Sequence, residues 1–412
     1  MANNILVNGV VVKRALSILR NKLPMAMNAN KDYQEEISDS NARVGGQVFV
    51  KRPPRYLGRD GELMQVESTI ETAVPMTLKM SGVDVSFSAK DLQLSMDDVA
   101  RGGLDHALEP AITTIAAKIE TAGASLFSQI PNVVGTPGVL PTDPLVMYNA
   151  NAIIDSLGGT VGGDKMAVLD TFASATLARN VNNLFNPQKQ ISQAYLKGYI
   201  GEIGGFDSYT DPAIQSFTAG TYGGTPVVNG AGQTGNTLVT NGWTITTTTL
   251  NVGDTFTIGT ANTANAVNSV NPQTRQSTGK LQNFVVTTKT VTDGSGNSTI
   301  SFSPAIVPSG QFQNVTQAAP NGAAITVTSG TSGQTSRQSI LYDKNAITFA
   351  CVPQAKPAGG NFEYSRATDK MSGLAISAIT QYDAKTNQVA TRFDVLYAWL
   401  LSYPELAVRL QG

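Results

Sequence analysis

The middle of this chain is almost free of charge, and that constrains its fold more than any other feature. Residues 212–336 contain only five charged side chains, and Thr, Asn, Ser, Gln and Gly dominate there. Short alternating runs between glycine-rich turns are typical of a small β-barrel or sandwich. We therefore predict an all-β domain over 207–342, inserted into a larger α+β domain. Its predicted strands are 225–229, 236–249, 254–259, 281–292, 298–303 and 323–328.

One loop of the predicted insertion is unusually long. Residues 260–280 are too many and too polar for a simple hairpin connection. Loops of that length are usually functional or mobile.

Composition and charge exclude several classes of protein. The chain has 412 residues, a net charge of −1 and 14% charged residues. Proteins that bind nucleic acid through charge usually carry a strongly basic region, and only residues 51–59 come close. Cys351 is the only cysteine, so no intrachain disulfide is expected and a reducing compartment is favoured. Neither a signal-peptide pattern nor an apolar run of about 18 residues occurs, so we expect no secretion and no membrane span.

Residues 104–130 give the strongest helix pattern in the chain. Apolar residues recur there at helical spacing and form one stripe, and Pro110 lies within it. The members of the stripe are Leu104, Leu108, Ile112, Ile115, Ile119, Ala122 and Leu126. We expect Pro110 either to start the main helix or to kink a longer one.

Residues 46–88 have the pattern of a long β-hairpin. Val48 and Val50 fall on one face of the outgoing strand, and the return strand alternates from Val74. The alternation changes phase at Gly82, which predicts a β-bulge there. A two-stranded hairpin is marginal in water, so we expect it to pack on a neighbour, within the chain or in another subunit. The polar N-terminal arm, residues 1–45, needs such a neighbour for the same reason.

Two further segments flank the predicted insertion. Residues 132–206 mix strand and helix patterns, with a strand at 165–169 and a helix at 171–180. After the insertion, a strand at 345–353 and an apolar tail predict that the C-terminus completes a sheet.

The sequence shows no catalytic apparatus. His106 and Cys351 are the only histidine and cysteine, so we expect neither a Cys/His zinc site nor a Ser-His-Asp triad. The acidic pairs at 35–36 and 97–98 fit a polar arm and a helix start better than acid–base catalysis. The sequence STGK at 277–280 lacks the upstream glycine of a phosphate loop. We expect a protein that is not an enzyme and needs no cofactor or metal.

One charged cluster stands out, on the turn-rich tip of the predicted hairpin. Its members are Lys51, Arg52, Arg55, Arg59, Asp60 and Glu62. Nucleic-acid contact is one interpretation. Mixed signs on a projecting loop favour ion pairs between subunits instead.

Four stretches of the chain carry a family resemblance. They are VGDTFTIG (252–259), VNPQTRQSTGKLQNFVV (270–286), DKNAITFACVPQAKPAGG (343–360) and TRFDVLYAWLLSYPELAVRLQG (391–412). With the order of arm, hairpin, long helix, α/β domain, insertion and returning strand, they resemble the tailed-phage major capsid proteins of the Hong Kong 97 fold. The inserted domain is similar to that of the branch typified by the phage P22 coat protein.

The resemblance implies an α+β fold with named parts. These are an N-terminal arm (1–45), an extended hairpin loop (46–88), a peripheral domain with a spine helix (89–131), an axial domain (132–206 and 343–385), an inserted β-barrel (207–342) and a C-terminal strand of the peripheral domain (386–412). It also makes Arg275 and Lys280, on the long loop of the insertion, candidates for contact between neighbouring capsomers.

The resemblance further implies a function. The chain would be a major capsid protein that self-assembles into the hexamers and pentamers of an icosahedral shell around double-stranded DNA. The implied partners are other copies of the chain, a scaffolding protein, a portal protein, the encapsidated DNA through non-specific contacts and, as an optional partner, a decoration protein, with no membrane. We expect assembly in the host cytoplasm and a final place in the virion capsid. The resemblance also implies that the N-terminal arm gains burial only from neighbouring subunits. No Lys–Asn pair suited to a cross-link between subunits is identified, and we predict none.

A second interpretation of the β domain stays open at this point. The chain could be a phage tail or surface receptor-binding protein whose β domain binds glycan. Trp243 and Tyr222 would then stack on the sugar.

Overall fold

The computed structural model describes the chain in two compact units. The described residues are 8–20, 22–32, 47–59, 61–64, 66–88, 103–181, 201–245, 249–357, 359, 362–369, 372–383 and 388–412, without the side chains of 8–10, 47–48, 87–88, 103–107, 180–181 and 383. The predictions for residues 35–36, 60 and 97–98, and for the His106 side chain, lie outside them. The first unit comprises Met1–Val50, Ala73–Gly123 and Thr348–Leu400, and the second Lys51–Thr72, Ala124–Ile347 and Leu401–Gly412.

The described part of the chain forms five helices and 24 strands. The helices are α1 (Asn8–Arg20), α2 (Pro24–Asn28), α3 (Gly103–Ala124), α4 (Leu145–Ser156) and α5 (Thr171–Val181). The strands are β1 (Gln47–Arg52), β2 (Thr72–Thr77), β3 (Lys79–Ser88), β4 (Asn132–Gly135), β5 (Lys165–Leu169), β6 (Glu202–Ile203), β7 (Phe206–Thr210), β8 (Ser216–Thr218), β9 (Gly224–Val228), β10 (Gly235–Trp243), β11 (Thr249–Leu250), β12 (Thr255–Ile258), β13 (Asn268–Val270), β14 (Ser277–Leu281), β15 (Asn283–Val286), β16 (Thr290–Val291), β17 (Ser298–Ile306), β18 (Ile325–Val327), β19 (Thr335–Asp343), β20 (Ile347–Val352), β21 (Glu363–Asp369), β22 (Leu374–Asp383), β23 (Gln388–Leu401) and β24 (Ala407–Gln411). Among the described helices, none combines the length and hydropathy that a bilayer-spanning helix needs.

The long helix α3 forms where the apolar stripe predicts it, and a 3-10 turn at Ser125–Gln129 follows it. Leu108, Ile112 and Ile115 are buried, as the stripe requires. Pro110 lies inside the helix, so it neither starts nor ends it. The lost intrahelical hydrogen bond of a proline is tolerated because the rest of the stripe is packed.

The N-terminal arm packs on its own chain over its described residues. The side chains of Val12, Ala15 and Leu19 on α1 are fully buried, and α1 lies against β21 and β22. The expectation that this arm gains burial only from another subunit is therefore wrong for residues 8–32. Residues 31–46 are polar, whereas α1 carries an apolar face that its own sheet covers.

A buried carboxylate fastens α2 to the long helix within the first unit. The backbone N–H groups of Met25 and Ala26 donate to the two carboxylate oxygens of Glu120, each at 3.2 Å. Glu120 lies on α3 and is buried. These bonds satisfy two of the N–H groups that a helix start leaves unpaired.

The hairpin return strand joins a sheet instead of forming a bulge. β3 pairs antiparallel with β23 in a continuous register from Lys79↔Tyr397 to Ser88↔Gln388. The predicted bulge at Gly82 is therefore wrong. A Cβ at Gly82 would lie 2.5 Å from the Phe393 carbonyl oxygen, so glycine is needed there because two backbones approach closely.

The second unit contains a seven-stranded sheet in the order β4-β24-β19-β5-β7-β6, with β8 also paired to β19. Helix α4 covers one face of this sheet. Met147, Ala150 and Ile154 of the helix share a buried core with Leu341 and Val408 of the sheet.

A six-stranded barrel forms the rest of the second unit, with strand order β18-β12-β15-β17-β10-β9. A bridge between Val227 and Ala324 closes it. Three aromatic rings fill the interior, Phe256, Phe284 and Phe302, with centroids 5.1–5.7 Å apart. All six predicted strand regions contain strands of the barrel, so the all-β character of the insertion is confirmed.

The sheet pairings divide the chain differently from the predicted domain boundaries. β8 and all but one residue each of β7 and β19 fall within 207–342, but these strands pair in the seven-stranded sheet. The barrel strands run only from Gly224 to Val327. Composition does not mark this border because the charge-poor stretch, residues 212–336, extends beyond the barrel on both sides and includes β8. The long loop at 260–280 also holds the hairpin of β13 and β14.

The sheet pairings of residues 343–412 also differ from the predicted domain boundaries. β20, β21, β22 and β23 form a five-stranded sheet with β3, whereas β24 joins the seven-stranded sheet. Residues 343–385 thus share a sheet with the hairpin return strand and not with 132–206. The tail 386–412 contributes one strand to each sheet, which a pattern of alternation alone could not reveal.

Candidate assembly site on the hairpin tip

The segment between β1 and β2, residues 53–71, is called the tip segment below. It lies in the second unit together with the barrel. It exposes large apolar side chains to an unusual degree: Leu63 is 85% exposed, Met64 80% and Val66 84%. Tyr56, Leu57 and Ile70 are exposed as well. Exposed apolar side chains concentrated in one segment are typical of a protein–protein contact.

None of the described residues of the tip segment is buried, and polar contacts hold its backbone. The Glu67 carboxylate accepts the backbone N–H groups of Leu57 (2.6 Å) and Gly58 (2.8 Å). Gly58 has φ +75°, which favours glycine at this turn. The Arg59 guanidinium donates to the carbonyl oxygens of Gly61 and Leu63. The apolar side chains therefore project from a loop whose backbone is held by charged groups.

The basic residues at the root of the tip segment find partners in their own chain. Arg55 forms an ion pair with Glu405 at 2.6 Å. The guanidinium of Arg52 lies over the ring of Tyr403, 5.6 Å from its centroid. Lys51 lies 3.9 Å from Glu71, and both side chains are largely exposed. Glu62 is exposed.

The two candidates on the insertion lie apart from one another. Arg275 occupies the turn between β13 and β14 and donates to the carbonyl oxygen of Tyr56 at 3.3 Å. Lys280 lies on β14 and lines a cavity of about 360 Å³ beside α4 and β4. The structure thus brings Arg275 together with the tip segment and leaves Lys280 elsewhere.

Arg55 and Glu67 of the tip segment are close enough to Arg275 to affect its pKa. Burial lowers the pKa of Arg275, the nearby Arg55 lowers it further, and Glu67 raises it. Glu67 and Glu405 are not predictable from the sequence as members of this site, because a carboxylate in a turn-rich segment does not reveal its partner. An intersubunit role for Lys51, Arg52, Arg55, Arg59, Glu62, Arg275 and Lys280 stays a prediction.

The aromatic residues of the glycan-binding interpretation are not available for stacking. Trp243 is 4% exposed within the barrel core, and its Nε1 donates to the Thr240 hydroxyl at 2.8 Å. Tyr222 packs against the same core, and its hydroxyl donates to the Gly330 carbonyl. Both rings serve the fold of the barrel.

The tip segment exposes apolar side chains on a backbone that charged groups hold, and a closed barrel is inserted into an α+β fold. These features define a structural protein that works by contact with other proteins. The family model described as "P22 coat protein - gene protein 5" matches residues 1–412. The chain belongs to the P22 coat protein family.

Comparison with solved structures gives distant matches. The Mycobacterium phage Che8 structure has 10% sequence identity and a TM-score of 0.43, over 93% of this chain and 89% of that chain. The capsid of Ralstonia phage GP4 has 7% identity and a TM-score of 0.43, over 93% and 86%. A Gordonia phage Cozz structure has 12% identity and a TM-score of 0.40, over 93% and 87%. A search of curated proteins finds no match. The assignment rests on the family match over the whole chain.

Family membership settles the general function. The chain is a major capsid protein of a tailed phage, with an α+β fold of the Hong Kong 97 type that carries an inserted barrel. It is a structural protein and not an enzyme, it associates with copies of itself into a shell, and its place is the virion capsid. The receptor-binding alternative is not favoured.

Proposed function

We propose that this protein forms the hexamers and pentamers of an icosahedral shell in which the tip segment of each copy docks on a neighbouring copy. The observation that carries the proposal is the exposure of Leu63, Met64 and Val66, each at least 80% exposed in the single chain. Burying such side chains against a second copy contributes about 1.5–3 kcal/mol each. A shell multiplies that gain over many identical contacts.

The parts of the chain take the following roles in this proposal. The seven-stranded sheet with α4 and α5 forms the axial domain, and α3 with the five-stranded sheet forms the peripheral domain. The charged residues Lys51 and Arg52 on β1, Arg55, Arg59 and Glu62 on the tip segment, and Arg275 and Lys280 on the insertion contribute to contacts between copies. A scaffolding protein, a portal protein and, as an optional partner, a decoration protein bind the shell, which assembles in the host cytoplasm. The net charge of −1 fits non-specific contact with the encapsidated DNA better than charge-driven condensation.

A matched pair of valines tests the docking role. Val66 and Val161 are 84% and 80% exposed, and only Val66 lies in the tip segment. We expect Val66→Ser to raise the protein concentration needed for assembly severalfold and Val161→Ser to leave it unchanged. Sedimentation and electron microscopy of the purified protein, with and without a scaffolding protein, measure this. If both variants needed the same protein concentration for assembly, the docking role would be contradicted.

A second variant tests the charges. Among the described residues, Arg59 donates to carbonyl oxygens of its own loop, whereas Arg52 and Arg55 reach Tyr403 and Glu405. We expect Arg59→Glu to impair assembly while the melting temperature of the free subunit stays near that of the wild type. Unchanged shell yield would count against a role for Arg59 between subunits.

A further inference from the structure

The barrel contacts the tip segment of its own chain at two separate points. At the first, the Arg275 guanidinium donates to the Tyr56 carbonyl oxygen through Nη2 at 3.3 Å. Its Nη1 lies 3.4 Å from the Gly310 carbonyl oxygen and 3.5 Å from that of Gln313. One side chain thus joins the tip segment to a loop of the barrel.

At the second point, the side chain of Gln311 donates through Nε2 to the Ser68 carbonyl oxygen at 2.7 Å. Gln311 lies on the same barrel loop as Gly310 and Gln313. Tyr56 and Ser68 stand on opposite sides of the exposed apolar residues in sequence. The barrel therefore holds the tip segment on both sides of the side chains that the proposed function assigns to docking.

The turn between β13 and β14 fixes the position of Arg275. Arg275 has φ +58°, a left-handed conformation that is uncommon outside glycine. The Asn271 side chain accepts the N–H groups of Gln273 (2.9 Å) and Thr274 (3.0 Å). Its Nδ2 donates to the Ser156 carbonyl oxygen at the end of α4 (2.8 Å). The turn is thereby anchored to the body of the unit, and it aims Arg275 at the tip segment.

We propose that the barrel insertion holds the tip segment in its docking conformation in the free subunit, with Arg275 and Gln311 as the positioning residues. This inference rests on the proposed function, since it supplies the means by which the apolar side chains are presented to a second copy. A loop without a core loses conformational entropy when it docks. Ordering it beforehand removes part of that cost and strengthens association without a new contact between copies.

Backbone hydrogen exchange of the free subunit tests the inference. We expect Arg275→Ala and Gln311→Ala to speed exchange of the amides at 53–59 and 66–71 about fivefold each, because each variant removes hydrogen bonds of ordinary strength. The matched controls are Lys289→Ala and Gln276→Ala, which remove the same kinds of side chain at exposed sites of the insertion. The melting temperature of all four variants is expected to stay near that of the wild type.

Assembly measurements on the same four proteins separate the two proposals. We expect the concentration needed for assembly to rise for Arg275→Ala and Gln311→Ala, and not for the controls. Exchange at wild-type rates in both variants would overturn the inference, even if assembly failed, since these residues would then act by touching the neighbour. Faster exchange with normal assembly would overturn the claim that ordering the tip segment beforehand strengthens association, and would leave the docking role to the Val66→Ser test.

Discussion

The carboxylate of Asp254 and the guanidinium of Arg409 are both fully buried in the second unit, and they interact electrostatically although no described residue forms a hydrogen bond with the guanidinium. Asp254 stands just before β12 of the barrel, and Arg409 lies on β24 of the seven-stranded sheet. The carboxylate accepts hydrogen bonds from the Ser329 hydroxyl (2.6 Å) and the Asn251 N–H (2.7 Å). The guanidinium carbon lies 5.9 Å from the centre of the Phe127 ring. This pair therefore links the base of the barrel to the sheet.

Removing one charge of the pair should destabilise the free subunit more than removing both charges. Arg409→Met leaves the Asp254 charge buried without its neighbour, which costs about 3–5 kcal/mol. In the double variant Arg409→Met/Asp254→Asn we expect part of that loss to return. Urea unfolding of the wild type, the two single variants and the double variant measures the coupling. Strictly additive losses would show that the two charges do not interact.

Asp254 also predicts a dependence of stability on pH. Burial raises the pKa of its carboxyl, and the hydrogen bonds and Arg409 only partly offset this. A carboxyl with a raised pKa binds its proton more tightly in the folded state, so folding gains stability as the pH falls through the folded pKa. We expect the wild type to gain stability relative to Asp254→Asn between pH 7 and about 4, near the pKa of an unfolded aspartate. Urea midpoints over that range test the sign, and a gap that moves the other way would contradict the assignment.

Close backbone approach makes Gly82 irreplaceable in the first unit. A Cβ there would lie 2.5 Å from the Phe393 carbonyl oxygen and would also collide with the Asp394 side chain. We expect Gly82→Ala to lower the free energy of unfolding by about 1–3 kcal/mol. Gly294 has open space around it and no left-handed φ, so Gly294→Ala should change stability by less than about 0.5 kcal/mol. Similar losses in both variants would refute the steric argument.

The single cysteine should be inert in the folded subunit. Cys351 is fully buried, and burial raises the pKa of its thiol to about 12. At pH 8 almost no thiolate is present to react, and the side chain is out of reach of reagents. We expect iodoacetamide to label the unfolded protein in urea and to leave the native protein unlabelled by mass spectrometry. Equal labelling rates would mean that the β20 region opens readily.

The sequence predicts local structure well where the signal is local. The stripe on α3 and the strands of the barrel follow from periodicity and turn residues, which act over a few positions. The pairing of β19 with β8, β5 and β24 is not local, since its partners are spread over much of the chain. The predicted borders of the insertion fail at that strand for this reason.

In the candidate site, too, the sequence predicts local features but not contacts between distant residues. The charged residues of the tip segment are visible in the sequence, but Glu405, the partner of Arg55, is 350 residues away. Gln311, which donates to the Ser68 carbonyl oxygen, is 243 residues away from it. Gly82 shows how one signal can have two causes, because a bulge and a close backbone approach both favour glycine. Only the register with β23 distinguishes them.

Electron cryomicroscopy of particles assembled from the purified protein tests the central claim most directly. The account predicts closed shells of hexamers and pentamers, in which Leu63, Met64 and Val66 are buried against a neighbouring copy while Arg275 still contacts Tyr56 of its own chain. Shells in which these three apolar side chains remain in solvent would contradict it, and so would a protein that stays monomeric at every concentration, alone and with a scaffolding protein.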